Sequence, residues 1–148
     1  MIAVIQRVKK AEVSVDDRII GRIGNGLLVL LGVAAGDSDT DAAFLAGKVS
    51  DLRIFPDSAG KMNISLKDAG GSALVVSQFT LCGDWRKGRR PSFTGAASPD
   101  EGERLYTRFC EQLRARAIPV EQGEFGAMMD VALINEGPVT FVLDSKDI

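Results

Sequence analysis

Apolar and polar residues alternate from the start of the chain. Ile2, Val4 and Val8 sit among Gln6 and Lys10, and Val13 and Val15 flank Ser14. A period of two predicts a half-buried strand running to about residue 16. Asp16-Asp17 predicts a turn, with a short return strand over residues 18–23. Gly24-Asn25-Gly26 is a second turn signal, because Gly and Asn accept positive φ at little cost. Residues 27–33 are continuously apolar, as in a strand buried on both faces. The period then changes. After Asp37-Ser38-Asp39, Leu45, Val49 and Leu52 share one helical face, predicting a helix over 39–53. Pro56 is a breaker. Met62, Ile64 and Leu66 alternate with polar residues, and Gly70-Gly71 turns the chain. Residues 72–81 predict a second buried strand, ending in Ser-Gln-Phe-Thr-Leu. Residues 82–97 predict a loop. Ser98-Pro99-Asp100-Glu101 then opens a helix with Ser98 as cap, Pro99 in the first turn and Glu101 reaching back. Leu105, Tyr106, Phe109 and Leu113 line it to about residue 117, and Pro119 ends it. Residues 120–124, 127–134 and 139–143 predict three final strands. Two helices, each between strands, make one α/β domain over residues 1–148.

Composition then narrows the chemistry. Hydrophobic residues are 45% of the chain, sufficient for a core of one-domain size. There is no histidine. That excludes a Ser-His-Asp or Cys-His nucleophile, a histidine base and any His-containing zinc site. Two cysteines, Cys82 and Cys110, are too few for a four-cysteine site and read as free packing thiols. Asp16-Asp17 and the acidic residues of 37–41 read as turn and cap chemistry, so no metal and no cofactor is expected. No apolar run reaches the ~20 residues that span a bilayer. The N-terminus lacks a signal-peptide pattern, which predicts a cytoplasmic protein without membrane contact.

Three segments remain as candidates for function. Ser77, Gln78, Phe79 and Thr80 place two hydroxyls and an amide at the end of a buried strand, where α/β proteins tend to open into their sites. Read as a strand, Ser77 and Phe79 share one face and Gln78 and Thr80 the other; local bonding to the backbone explains the hydroxyls equally well. Asn135-Glu136-Gly137-Pro138-Val139-Thr140 reads, taken alone, as a simple turn between strands. Arg86, Lys87, Arg89 and Arg90 put four positive charges within five residues of a chain whose net charge is -2. They are either a solvated loop or a local phosphate-holding patch, with Trp85 beside them able to stack on a base. Phe125 adjoins Met128-Met129, which are either core or an apolar wall; Met128 reads as core.

Taken together these blocks resemble the D-aminoacyl-tRNA deacylases. The likeness runs from Ile5-Gln6-Arg7-Val8 through Ser77-Gln78-Phe79-Thr80-Leu81, Gly88-Arg89-Arg90-Pro91-Ser92-Phe93 and Phe125-Gly126-Ala127-Met128-Met129 to Asn135-Glu136-Gly137-Pro138-Val139-Thr140. Cys82-Gly83 after Leu81 falls outside the two defining motifs. The resemblance implies a three-layer β/β/α fold with barrel-like sheets. It implies a homodimer that hydrolyses the ester between a D-amino acid, or glycine, and the 3′-terminal adenosine of tRNA. Residues 77–80 would line the pocket floor and donate backbone N–H groups. A cis Gly137-Pro138 loop, steadied by Arg7 and neighbouring Asn135, Phe125 and Met129, would enter the partner's pocket and exclude L-residues. Residues 86–90 would touch the tRNA. A bare threonine hydroxyl is a poor nucleophile without a base, so hydrolysis assisted by the terminal ribose 2′-OH is favoured over attack by Thr80. A deacylase for an L-aminoacyl-tRNA and a non-catalytic RNA-binding module are the alternatives.

Overall fold

A computed structural model describes residues 1–147. Eight strands and two helices follow the order β1 (Ile2–Val15), β2 (Arg18–Ile23), β3 (Gly26–Gly32), α1 (Asp39–Asp51), β4 (Phe55–Pro56), β5 (Met62–Ile64), β6 (Ser72–Ser77), α2 (Pro99–Ala115), β7 (Val120–Gln122) and β8 (Asp130–Asp144). The main sheet runs β2-β1-β3-β6-β7, and β8 pairs with β1. β6 is parallel to both β3 and β7; the β1 pairings are antiparallel. The α/β expectation holds, with two helices and a strongly curled sheet. Curling brings β2 against β7: a Cβ on Gly21 would stand 2.8 Å from the Gln122 carbonyl oxygen. At Gly26 a Cβ would overlap the Ser72 carbonyl, so only glycine permits β3 to meet β6 there.

Two apolar clusters separate three layers. Odd positions of β3 (Leu27, Val29, Leu31) face α1 and α2, packing with Leu45, Val49, Leu105, Phe109 and Leu113. Leu28 and Leu30 face the other way, with Leu74, Val76, Ile23, Val131 and Leu133. β1 contributes to both clusters by changing parity. Ala3 and Ile5 lie in the helix-facing core, but Ala11 and Val13 lie in the second. A register shift between Val8 and Lys10 against β8 inserts one residue, and one inserted residue exchanges the two faces of a strand.

The β1–β2 turn and the start of α1 behave as their residues predict. Asp16 and Asp17 both have positive φ, 49° and 63°, as a tight hairpin between β1 and β2 demands. At α1 the Ser38 N–H donates to the Asp41 carboxylate at 2.8 Å. Ser98 precedes α2 but makes no side-chain cap bond. Glu101 is held instead by Arg104, at 2.6 Å, so it does not reach back. Pro56 does not break the chain but pairs within the small β4–β5 hairpin.

Two expectations fail at the places that matter most. The strand foreseen over 72–81 stops at Ser77, and Phe79–Cys82 form a 3₁₀ turn. The alternation of faces over residues 77–80 is therefore lost. The strands foreseen over 127–134 and 139–143 are one strand, β8, which pairs with β1 on both sides of Gly137-Pro138. Those two residues sit in a bulge and not in a hairpin turn. Met128, read as core, is 92% exposed.

Candidate active site

β6 carries four consecutive buried residues into the core, Ala73, Leu74, Val75 and Val76 being almost inaccessible. Its ladder with β7 covers only residues 73–75. Beyond Val75 the backbone has lost one neighbour, and the chain is free to turn. Gln78 N–H still donates to the Leu31 carbonyl at 2.8 Å, and Leu81 N–H closes the turn on the Gln78 carbonyl at 3.2 Å. The first N–H groups of a helical turn have no partner within it. Among the described residues no backbone acceptor takes the N–H of Phe79 or Thr80. The polar segment thus ends a parallel strand at its carboxyl end, with two main-chain donors uncommitted.

Thr80 is exposed, and Gln78 Nε2 donates to its Oγ. No carboxylate, amine or thiolate bonds to that hydroxyl among the described residues. Beside the turn lies a cavity of about 350 Å³, lined among others by Ser77, Phe79, Phe93, Pro99, Gly102 and Phe125. Phe79 and Phe93 meet edge-on, with ring centroids 5.1 Å apart. Phe125 leans on Tyr106 at 6.0 Å. The buried Tyr106 hydroxyl donates to the Val75 carbonyl at 2.7 Å, fixing the last residue of β6 that pairs with β7. Burial pushes the Tyr106 hydroxyl up to about 12, so it stays a donor. Phe93 and the small residues Ala96, Ala97 and Gly102 were not singled out by pattern. Phe93 enters only as the last residue of the Gly88–Phe93 block of the family resemblance.

The second segment is built by a mismatch between strands. Gln6 pairs with Thr140 and Val8 with Asn135, so Arg7 alone faces residues 136–139. The excess is pushed out as a bulge with Gly137 and Pro138 at its exposed tip. The Gly137–Pro138 bond is cis. Asn135 Nδ2 closes the base of the bulge, donating to the Arg7 carbonyl at 2.9 Å and the Val139 carbonyl at 3.2 Å. Val139 anchors the far side in the core at 4% exposure. The buried Arg7 guanidinium donates to the Ile54 carbonyl at 2.6 Å, and its Nε lies 3.7 Å from the Glu136 carboxylate.

The structure thus joins Ser77, Phe79 and Phe125 around one cavity, while Gln78 and Thr80 flank Phe79 in the chain without lining it. It does not bring Gly137, Pro138, Arg7 or Asn135 into that lining. Met129 packs with the second core and against Gly123, away from the cavity. The basic residues ride on a loop pinned by paired backbone bonds between Asp84 and Ser92. Arg86 is held by Asp84 at 2.8 Å, while Lys87, Arg89 and Arg90 are exposed and Trp85 is 78% exposed.

Known proteins match this arrangement over almost the whole chain. The family described as D-Tyr-tRNA(Tyr) deacylase matches residues 4–144. A Geobacter sulfurreducens protein named D-aminoacyl-tRNA deacylase is 59% identical over 146 residues, covering 99% of this chain and 96% of its own. A Chloroflexus aurantiacus protein of the same name is 60% identical over 148 residues, covering 100% and 92%. A solved structure titled c-Myc DNA Unwinding Element Binding Protein superposes with a TM-score of 0.92 at 40% identity, covering 97% and 98%. Another, titled as a probable eukaryotic D-amino acid tRNA deacylase, has a TM-score of 0.82 at 23% identity and supports the fold alone. With a family match spanning both candidate segments and relatives near 60% identity, the chain belongs to the D-Tyr-tRNA(Tyr) deacylase family.

Proposed function

We propose that the protein hydrolyses the ester of D-aminoacyl-tRNA, releasing the free D-amino acid and tRNA. One observation carries the reading: in a chain of this family, Phe79 lines an aromatic cavity, and the N–H groups of Phe79 and Thr80 have no backbone acceptor among the described residues. Ester hydrolysis develops negative charge on the carbonyl oxygen. Preorganised backbone donors stabilise it without a histidine, each typically contributing about 2.7–4 kcal/mol of barrier. The aromatic walls suit the terminal adenine, since a base stacks on such rings whatever its edge. Thr80 receives a hydrogen bond and meets no base, so it lacks activation as a nucleophile. The adjacent ribose 2′-OH of the substrate helps activate the attacking water.

In this reading Gly137 and Pro138 act in the cavity of a second copy, because they do not reach the cavity of their own chain. The homodimer holds two sites at its interface, and the steadied backbone of the bulge refuses an L side chain sterically. Repulsion separates stereoisomers more strongly than a fitted pocket, where a methylene is worth only about 1–3 kcal/mol. D side chains point outward, and glycine passes for want of a side chain. Lys87, Arg89 and Arg90 hold tRNA phosphates, and the enzyme works in the cytoplasm.

The test is release of amino acid from D-, L- and glycyl-tRNA against an enzyme-free control. Turnover of D-aminoacyl- and glycyl-tRNA with none of L-aminoacyl-tRNA is expected. Binding without turnover would make the chain an RNA-binding module, and turnover of the L-ester would make it an L-specific deacylase.

A further inference from the structure

The 3₁₀ turn separates two cavities. Phe79 lines the aromatic one. Leu81 and Cys82 line a second, of about 360 Å³, with Asp84, Arg86, Thr94 and Gly95 around it. No more than about 7 Å of backbone separates the Cα atoms of Phe79 and Leu81. A nucleotide next to one seated in the first cavity can therefore reach the second. All tRNAs end in CCA, so that nucleotide is a cytidine.

We propose that the second cavity is a subsite for the penultimate cytidine of the tRNA acceptor end, read by the Asp84–Arg86 pair. The inference rests on the deacylase reading above. The pair is held in place. Asp84 N–H donates to the Ser92 carbonyl at 2.7 Å, and Ser92 N–H returns to the Asp84 carbonyl at 2.9 Å. Arg86 N–H and Nε both donate to Asp84 Oδ1, at 3.0 and 2.8 Å. Asp84 Oδ2 has no partner among the described residues, and the terminal nitrogens of Arg86 have none either. The pair thus offers one acceptor beside several donors. Cytosine presents the complement: an exocyclic amine that donates, next to N3 and O2, which accept. A carboxylate accepting from the cytosine amine is an established protein–base pairing. Uracil carries a carbonyl oxygen where cytosine has the amine, and that oxygen would face Oδ2 in repulsion. Arg89 and Arg90, exposed on the same loop, are free to meet the phosphates upstream.

The experiment compares hydrolysis of D-tyrosyl esters of adenosine, of the dinucleotide CpA and of UpA, by the wild-type chain and by Asp84→Ala. In the wild type, kcat/KM for CpA should exceed that for UpA by on the order of ten-fold, with adenosine close to UpA. In Asp84→Ala the CpA/UpA ratio should fall to within about two-fold of one. Equal turnover of CpA and UpA by the wild type, or an unchanged ratio in the variant, overturns the proposal. The wild-type ratio decides the matter even where Asp84→Ala fails to fold. Failure of the wild type to hydrolyse any of the esters would instead overturn the deacylase reading itself.

Discussion

Thr80→Val separates the two chemical routes. Valine keeps the β-branch and the volume of threonine, and it leaves the Thr80 backbone N–H untouched. What disappears is the hydroxyl and its one bond, from Gln78 Nε2. Such a bond contributes about 0.5–1.5 kcal/mol net, and Thr80 is exposed, which favours the lower end. If the hydroxyl only steadies the turn, kcat/KM should fall by about two- to thirteen-fold, taking 1.36 kcal/mol per decade. Were Thr80 the nucleophile, its loss should cost on the order of a million-fold in kcat, the scale seen when a hydrolase loses its attacking residue. The measurement is single-turnover deacylation of D-aminoacyl-tRNA, with thermal unfolding to confirm that the variant folds. A drop beyond about a thousand-fold in a folded variant would refute the substrate-assisted route. So would a mass increment of one aminoacyl group on the wild-type chain.

Other expectations follow from contacts away from that hydroxyl. Asn135→Ala deletes both bonds that close the Gly137-Pro138 bulge. It should lower stability by about 1–3 kcal/mol and raise turnover of L-aminoacyl-tRNA; a variant that rejects L-esters as fully as the wild type would show that the bulge does not select. Burial favours the neutral form of the Asp41 carboxyl, but bonds from Lys146, Ser145 and Ser38 outweigh it and hold the carboxyl well below the usual range. A lowered native value means stability fully present above about pH 4 and lost as pH falls further. Urea titrations at pH 5 and pH 3 should therefore show a smaller loss for Asp41→Asn than for the wild type, and equal losses would sink the assignment. Cys110 is inaccessible and burial pushes its thiol up to about 12, so at pH 8 iodoacetamide should modify it only after unfolding. Mass spectrometry of the intact and the denatured chain checks this.

The legible parts of the fold are those whose information is local. β1 follows from alternation, β3 from a continuously apolar run, and the turns around β2 from residues that accept positive φ. Both helix starts follow from the residues before them, although at Ser98 the bonds differ from those expected because Arg104 competes for Glu101. The 3₁₀ turn was not legible. Ser-Gln-Phe-Thr-Leu alternates like a strand, and nothing inside it says otherwise. The β7 ladder ends at Val75 and the β3 ladder at Ser77, so the strand stops where its neighbours run out. The bulge failed for the same reason. Gly137-Pro138 looks like any turn unless one knows that the residues on both sides pair with β1.

These two non-local events make the candidate site. Had β6 continued to Leu81, the Phe79 and Thr80 N–H groups would have lain in an extended segment, pointing to opposite sides. Turning after Ser77 leaves both without a backbone acceptor among the described residues, next to the cavity that Phe79 lines. Had β8 turned at Gly137, the tip would have joined two separate strands and moved with them. A bulge in one continuous strand is gripped from both ends by β1, by Asn135 beneath and by Val139 in the core. A loop that selects by refusal must not yield when an L side chain presses on it. Rigidity of that kind comes from pairing on both flanks, and not from the Gly-Pro dipeptide itself.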